Sequence, residues 1–424
     1  MRSKYHDVLF IAFAASFVIS KTLWSHRFMG VAGLNINNVV VYLCLLFFLL
    51  RRAMGARVVS PPGWGLAVFV IFCLSLSMFY GVINATLSIS LYDGAKLLKN
   101  SYLDPIIVYL LCCMFCVDRS DAKRYLLWCV YWYAILNIVS LVGQAHGVNV
   151  FAAQSAALEQ GRFTGVFGNP NKTSYVLCCA LPYVFYFLRT AKRKGMQLAL
   201  MVVVCVTAST VIYGGSRGGL LGVAFVMIMA PFLMRIEKRY IVAGALVLGV
   251  AAAVVVMTGT GSEVPLVERF SGIQGGDIRM VTSNRSRIWA ALFDAYVGSA
   301  MTIILGYGLG AAEHLGLHAD AHNYYLQILV ETGIIGACCF VVLVVLYMRG
   351  MLRYEFADGL ARRAVLLSVM VVFLAWMFSS LNGVLDFIAI LVGLGAGLVA
   401  TSSGDAKLGE TASGEIGGYQ RDPS

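Results

Sequence analysis

Arginines and one histidine hold most of the chemical potential of this 424-residue chain. Arg217 stands inside Gly214-Gly215-Ser216-Arg217-Gly218-Gly219. Four glycines there permit close backbone approach, and the helix that follows offers amide donors at its N-terminus, an arrangement suited to a phosphate. The same residues also read as a tight helical turn whose arginine reaches to lipid headgroups. Arg285 and Arg287 open a segment that continues through Trp289, and Arg162 precedes Asn169-Pro170-Asn171-Lys172. Guanidiniums beside low-dielectric walls hold anions in a forked geometry, although Arg and Trp also anchor helices at an interface for purely structural reasons. His322 begins His322-Asn323-Tyr324-Tyr325-Leu326-Gln327. A neutral imidazole there would take a proton from a sugar hydroxyl; the alternative is an interfacial histidine satisfied by hydrogen bonds.

Metal chemistry has one candidate. His314, His318 and His322 recur every four residues with Glu313 and Asp320 nearby, which on one continuous helix would turn three imidazoles toward a zinc ion. Gly310 and Gly316 weaken such a helix, and neither H-E-x-x-H nor a cysteine partner is present, so neither metal nor other cofactor is expected. The 11 cysteines, Cys113-x-x-Cys116 included, all fall in apolar runs and read as small buried hydrophobes. Glu331 lies nine residues beyond His322, roughly 13 Å along a helix, at a depth where an ionisable group is paired, protonated or functional. Asp104 and Asp386 read as structural caps. No P-loop, D-x-D or G-x-S-x-G stands out, which argues against nucleotide hydrolysis, metal-held sugar-nucleotide transfer and an intramembrane esterase.

The elements that position these residues must be membrane helices. The chain is 60% hydrophobic and only 12% charged, with a mean hydropathy of +0.81, whereas soluble domains carry about 25% charged residues. That composition excludes a soluble enzyme, a disordered chain and a nucleic-acid-binding domain, and it makes membrane lipid the surrounding partner. Twelve apolar runs suit a bilayer: 7–20, 29–50, 64–83, 102–117, 125–143, 173–190, 196–213, 218–234, 240–258, 323–348, 364–382 and 384–401. Asn382-Gly383 reads as the turn between the last two. Arg2 and Lys4 ahead of the first run, with no small-residue cleavage site after it, predict a retained helix. With both termini cytoplasmic, about two thirds of the 32 Lys and Arg fall on the cytoplasmic side, as the positive-inside rule requires.

The expected fold is therefore all-α and polytopic, a single integral-membrane domain over residues 1–401 followed by a disordered cytoplasmic tail over 402–424. Two outward loops, 144–172 and 259–322, exceed simple connectors. Within the second, residues 286–303 have the spacing of an amphipathic surface helix. Arg162, Asn169, Asn171, Lys172, Arg217, Arg285, Arg287 and His322 all fall on the outer side in this arrangement.

The motifs resemble those of one family. Phe163–Asn171 (FTGVFGNPN), Gly214–Gly219 (GGSRGG), the Arg287-Ile288-Trp289 segment (R-x-W) followed by G-x-G-x-G ending at Gly310, and His322–Gly336 (H-N-x-x-L-Q-x-x-x-E-x-G-x-x-G) are similar to the O-antigen ligase and polymerase superfamily of bacterial envelope glycan enzymes. The resemblance covers about residues 160 to 336. It implies a GT-C-like inner-membrane glycosyltransferase acting at the periplasmic face without a metal. The implied donor is O-antigen on undecaprenyl pyrophosphate, and the implied acceptor is an outer-core sugar of lipid A-core. By motif position His322 would be catalytic, Arg217 the essential arginine of the glycine-rich junction, and Arg287 a further donor contact. Arg162, Arg285, Lys172, Asn169, Asn171, Tyr325 and Gln327 would line the pyrophosphate and glycan site. An O-antigen polymerase shares the donor; a protein O-oligosaccharyltransferase or a lipid-linked glycan transporter fits less well.

Overall fold

The computed structural model describes residues 2–22, 35–55, 64–83, 90–148, 150–151, 162–236, 285–315, 321–353, 358–379, 381 and 384–416. Every regular element among them is helical. In order they are α1 (Arg2–Thr22), α2 (Ile36–Ala53), α3 (Trp64–Ile83), α4 (Leu91–Leu98), α5 (Asp104–Phe115), α6 (Arg119–Ala145), α7 (Pro170–Thr190), α8 (Lys194–Tyr213) and α9 (Arg217–Met234). Then follow α10 (Arg285–Tyr296), α11 (Ala300–Leu305), α12 (Ala311–Leu315), α13 (Tyr324–Leu352), α14 (Gly359–Trp376) and α15 (Leu385–Ile416). Short polar residues start many of them by accepting from the otherwise orphaned first amides. Asn169 accepts from the amides of Asn171 and Lys172, Ser216 from Gly219, Asn323 from Leu326, and Asp358 from Leu360 and Ala361.

Among the described residues, eight helical stretches are long and apolar enough to cross a bilayer, so the chain is a multi-pass membrane protein. Run 102–117 is only the second half of a 25-residue stretch, Leu91–Phe115, in which a π-type turn, Lys99–Leu103, joins α4 to α5. Lys99 is helical here because its ammonium donates to Asp104 Oδ2 at 2.7 Å, and Tyr42 donates to Asp104 Oδ1 at 2.8 Å. Asp104 is thus the centre of a polar cluster, where a simple cap was expected. Run 240–258 lies outside the described residues, as do residues 259–284 and 316–320 of the second loop and Asn382-Gly383.

α7 is the axis of the bundle. Every residue from Thr173 to Leu188 is buried, enclosed chiefly by α14, α8 and α9. A helix sheathed in protein needs less apolar surface than one facing lipid, and α7 does not figure among the eight. α15 packs on α5 through Gly393 and Gly397. A methyl group at Gly393 would lie 2.7 Å from the Tyr109 carbonyl oxygen, and one at Gly397 would lie 2.6 Å from Cys116 Sγ, the small-residue contact by which membrane helices approach closely. The six cysteines of α5 to α7 are buried thiols within this packing.

Two further expectations change. The surface helix of 286–303 is two helices, because Gly298 ends α10 and Ser299 caps α11 in a reciprocal box with Thr302. α15 continues to Ile416, through polar residues assigned to a disordered tail beyond 401, and only 417–424 fall outside the described residues.

Candidate functional site

The residues of interest gather at one end of the bundle. The ends of α6 and α8 and the starts of α7 and α9 meet there around a buried segment, Arg162–Asn169. The Phe163 amide donates to Tyr213 O at 3.0 Å, Gln144 donates to Arg162 O at 3.0 Å, and Thr173 Oγ1 donates to Thr164 O at 2.7 Å. This part of the 144–172 loop is packed into the fold.

Arg217 is the first residue of α9. Its neighbour Ser216 accepts from the Gly219 amide at 3.0 Å and donates to Asn171 Oδ1 at 2.9 Å, which ties the start of α9 to the start of α7. Packing explains two of the motif glycines. A methyl group at Gly218 would sit 1.9 Å from Tyr175 Oη, and one at Gly219 would sit 2.5 Å from Ser174 Cβ. Gly215 has φ +59°, a turn that L side chains disfavour. The Gly214 carbonyl is taken by Arg162, which donates to it from Nε at 3.0 Å and Nη2 at 2.8 Å.

Arg162 reports its surroundings electrically. Burial, and then the charges of Arg285 and Arg217, push its guanidinium below the ordinary arginine value. Arg285 on α10 and Arg217 on α9 therefore both lie within electrostatic reach of Arg162 in the segment before α7. Arg285 is fixed by donating from Nη1 to Phe378 O at 2.7 Å, just beyond α14. Like charges held together repel, and a bound anion relieves that repulsion. Arg287 does not join them: it is exposed, and a two-residue step on a helix turns it about 200° from Arg285. Lys172, half-buried, lies in the first turn of α7 beside Asn171.

His322 is mounted separately. Its backbone is left-handed, φ +51°, an uncommon state for a residue other than glycine. Trp289 Nε1 donates to Ala321 O at 2.8 Å, and Asn323 caps α13 immediately after it. Because α12 ends at Leu315 and α13 starts at Tyr324, His314 and His322 share no helix, and the three-imidazole face does not form; His318 lies outside the described residues. Tyr325 ties α13 to α14 by donating to Phe373 O at 2.9 Å, and Gln327, buried, donates within α13 to Glu331 Oε1 at 3.2 Å.

α13 is broken at Gly333, φ +64°. The break frees the carbonyls of Val330 and Glu331, which accept from the amides of Tyr307 and Gly308 at 2.9 Å each, while Ser77 donates to the Glu331 carbonyl at 3.2 Å. Irregular backbone at membrane depth survives only where protein supplies such partners. Beside this junction is a cavity of about 600 Å³ between α3, α5, α13, α14 and α15. Tyr80, Tyr102, Tyr324, Phe340, Phe373 and Trp376 line it, with the Tyr324 and Trp376 rings stacked at 4.8 Å. Its walls come from helices far apart in the chain, so no single motif announces it.

Residues 202–341 match the family model described as O-antigen ligase. The match covers about a third of the chain. The matched region holds Arg217, Arg285, Arg287 and His322 and runs from α8 into α13, while Arg162, Asn169, Asn171 and Lys172 precede it. No curated protein matches the chain. The match supports an O-antigen ligase or polymerase type of function, with lipid-linked polysaccharide as the substrate class.

Proposed function

We propose that this protein is an O-antigen ligase of the bacterial inner membrane, with its active site periplasmic and both termini cytoplasmic. It moves O-antigen from undecaprenyl pyrophosphate to an outer-core sugar of lipid A-core. The observation that carries this reading is the convergence of Arg162, Arg217 and Arg285 at the end of the bundle where His322 stands. Fixed guanidiniums stabilise the charge that develops on a departing diphosphate without reorganising.

The acceptor hydroxyl gives its proton to His322 while its oxygen bonds to the anomeric carbon. The bond from that carbon to the diphosphate oxygen breaks, and undecaprenyl diphosphate leaves with the electron pair. One in-line displacement of this kind inverts the anomeric centre. Arg285 takes the role that motif position alone would give to Arg287. The opposite end of the bundle supports the orientation: Arg119, Arg124 and Arg189 all lie there, Arg119 and Arg124 in ion pairs with Asp358, Asp7 and Asp121 and Arg189 on the carbonyls of Met234 and Arg235.

The test is transfer by purified protein in liposomes holding undecaprenyl-pyrophosphate-linked O-antigen, with and without lipid A-core, in chelator. Capped lipopolysaccharide that needs the core and ignores chelator is the expected product. Lengthening of the donor glycan without core would make the protein a polymerase.

A further inference from the structure

His322 stands in a backbone state that its neighbours must enforce. Its φ of +51° is left-handed, uncommon for a residue other than glycine, and such a state persists only where the surroundings over-determine it. Two contacts do so. The Trp289 indole N–H donates to the Ala321 carbonyl at 2.8 Å. Because the Ala321–His322 peptide is planar, this bond also sets the direction from which the His322 backbone departs. On the other side Asn323 accepts from the Leu326 amide at 3.1 Å and fixes the start of α13. The imidazole therefore leaves a Cα that is pinned from both directions.

Trp289 is itself carried on a clamped helix. Arg285, the first residue of α10, donates to Phe378 O at 2.7 Å. Near the other end the Tyr307 hydroxyl donates to Ala295 O at 3.0 Å, and the Tyr307 amide donates to Val330 O of α13 at 2.9 Å. Between these ties Leu292 and Tyr296 pack in one buried cluster with Ala321 and Val330. Trp289 follows Arg285 by four residues, so the two side chains share a face of α10 and stand about 6 Å apart along its axis. One helix thus carries both an arginine of the anion site and the brace of His322.

We infer that Trp289 is a positioning residue: through Ala321 it sets the His322 imidazole at a fixed spacing from the arginines. The inference rests on the functional reading above, in which His322 takes the acceptor proton, and Trp289 acts on the reaction through His322 alone. A brace that served only the stability of the turn would lower Tm without separating kcat from donor binding.

Trp289→Phe tests it. The variant keeps an aromatic ring and removes the donor, while the cluster around Leu292 and Ala321 still holds α10 in place. The expected result is a kcat lower on the order of tenfold to a hundredfold, as for a displaced catalytic group. KM for the donor and Kd for undecaprenyl diphosphate stay as in wild type, which also shows that the anion site remains folded. A second arm repeats the change in a His322→Ala protein, followed by single-turnover transfer over long incubations. There it costs nothing further, because no imidazole is left to place. An equal fold loss in both backgrounds, an unchanged kcat in Trp289→Phe, or a raised Kd for undecaprenyl diphosphate overturns the inference. Where His322→Ala shows no transfer above the enzyme-free rate, the kcat and Kd of Trp289→Phe decide alone. If His322→Ala loses transfer and Trp289→Phe does not, the positioning role falls and the functional reading stands. A fully active His322→Ala protein removes the functional reading and this inference with it.

Discussion

Arg285 and Arg287 are two residues apart, and helix geometry separates their roles. Arg285 is held against Phe378 O and is felt by Arg162, while Arg287 is exposed. Arg285→Ala is therefore expected to lower transfer by about 10²-fold or more, the cost of losing one fixed donor to a developing anion. Arg287→Ala stays within a few-fold of wild type; initial rates in liposomes decide between them. A lysine at position 162 keeps the charge but loses the fork on Gly214 O, so Arg162→Lys should behave as a loss and not as a conservative change. Residue types were legible in the sequence at this scale, since Arg217 and His322 stood out by motif and Arg162 and Arg285 stand beside one. Which arginine faces inward depends on where α10 begins, and composition does not specify a helix phase. The indole of Trp289 was visible too, but its partner at Ala321 is 32 residues away.

Capping residues and glycines decide the elements. Ser216 and Asn169, both within motifs, start α9 and α7 and bring the two helices together through Asn171. Gly218 lets α9 lie against Tyr175. Gly218→Ala is expected to destabilise the protein by about 1–3 kcal/mol, the usual cost of overpacking, with a lower Tm in detergent and reduced activity through displacement of Arg217. Apolar runs bounded by turn residues predicted most helices well. They failed at α4 and α5, where Lys96 and Lys99 looked like loop charges although Lys99 finds its counter-ion at Asp104. They failed again at the end of α14, which stops at Trp376, short of the expected 382, before Leu381 turns left-handed at φ +55°. Pairing and backbone reversal of that kind arise from tertiary neighbours.

At the scale of the molecule, the two ends divide the work. One end gathers the arginines and His322; the other is laced by ion pairs, with Arg119 Nη2 2.5 Å from Asp358 Oδ2 and the Tyr186 hydroxyl 3.0 Å from the same oxygen. Burial alone would raise the Asp358 carboxyl, but the Ala361 amide, Arg119 and Tyr186 outweigh it and hold it below the usual aspartate value. A lowered folded value means that this contribution to stability is complete above about pH 4, the unfolded value, and is lost as pH falls through the folded one. Asp358→Asn should lower Tm at neutral pH and flatten its decline in acid, as thermal scans between pH 3 and 7 would show. The general class, a polytopic helical protein, was legible from hydropathy and charge. The apolar cavity was not, because five helices from α3 to α15 build it.

The central claim is a division of labour: the arginines hold the diphosphate and His322 takes the proton. It is tested most directly by measuring undecaprenyl diphosphate binding and glycan transfer side by side in Arg217→Ala and His322→Ala proteins. The account predicts that His322→Ala binds the lipid as wild type does and loses about 10²- to 10⁴-fold in transfer, the span of a missing general base, while Arg217→Ala loses binding and transfer together. Near-normal transfer by His322→Ala, or unchanged lipid binding by Arg217→Ala, would contradict it.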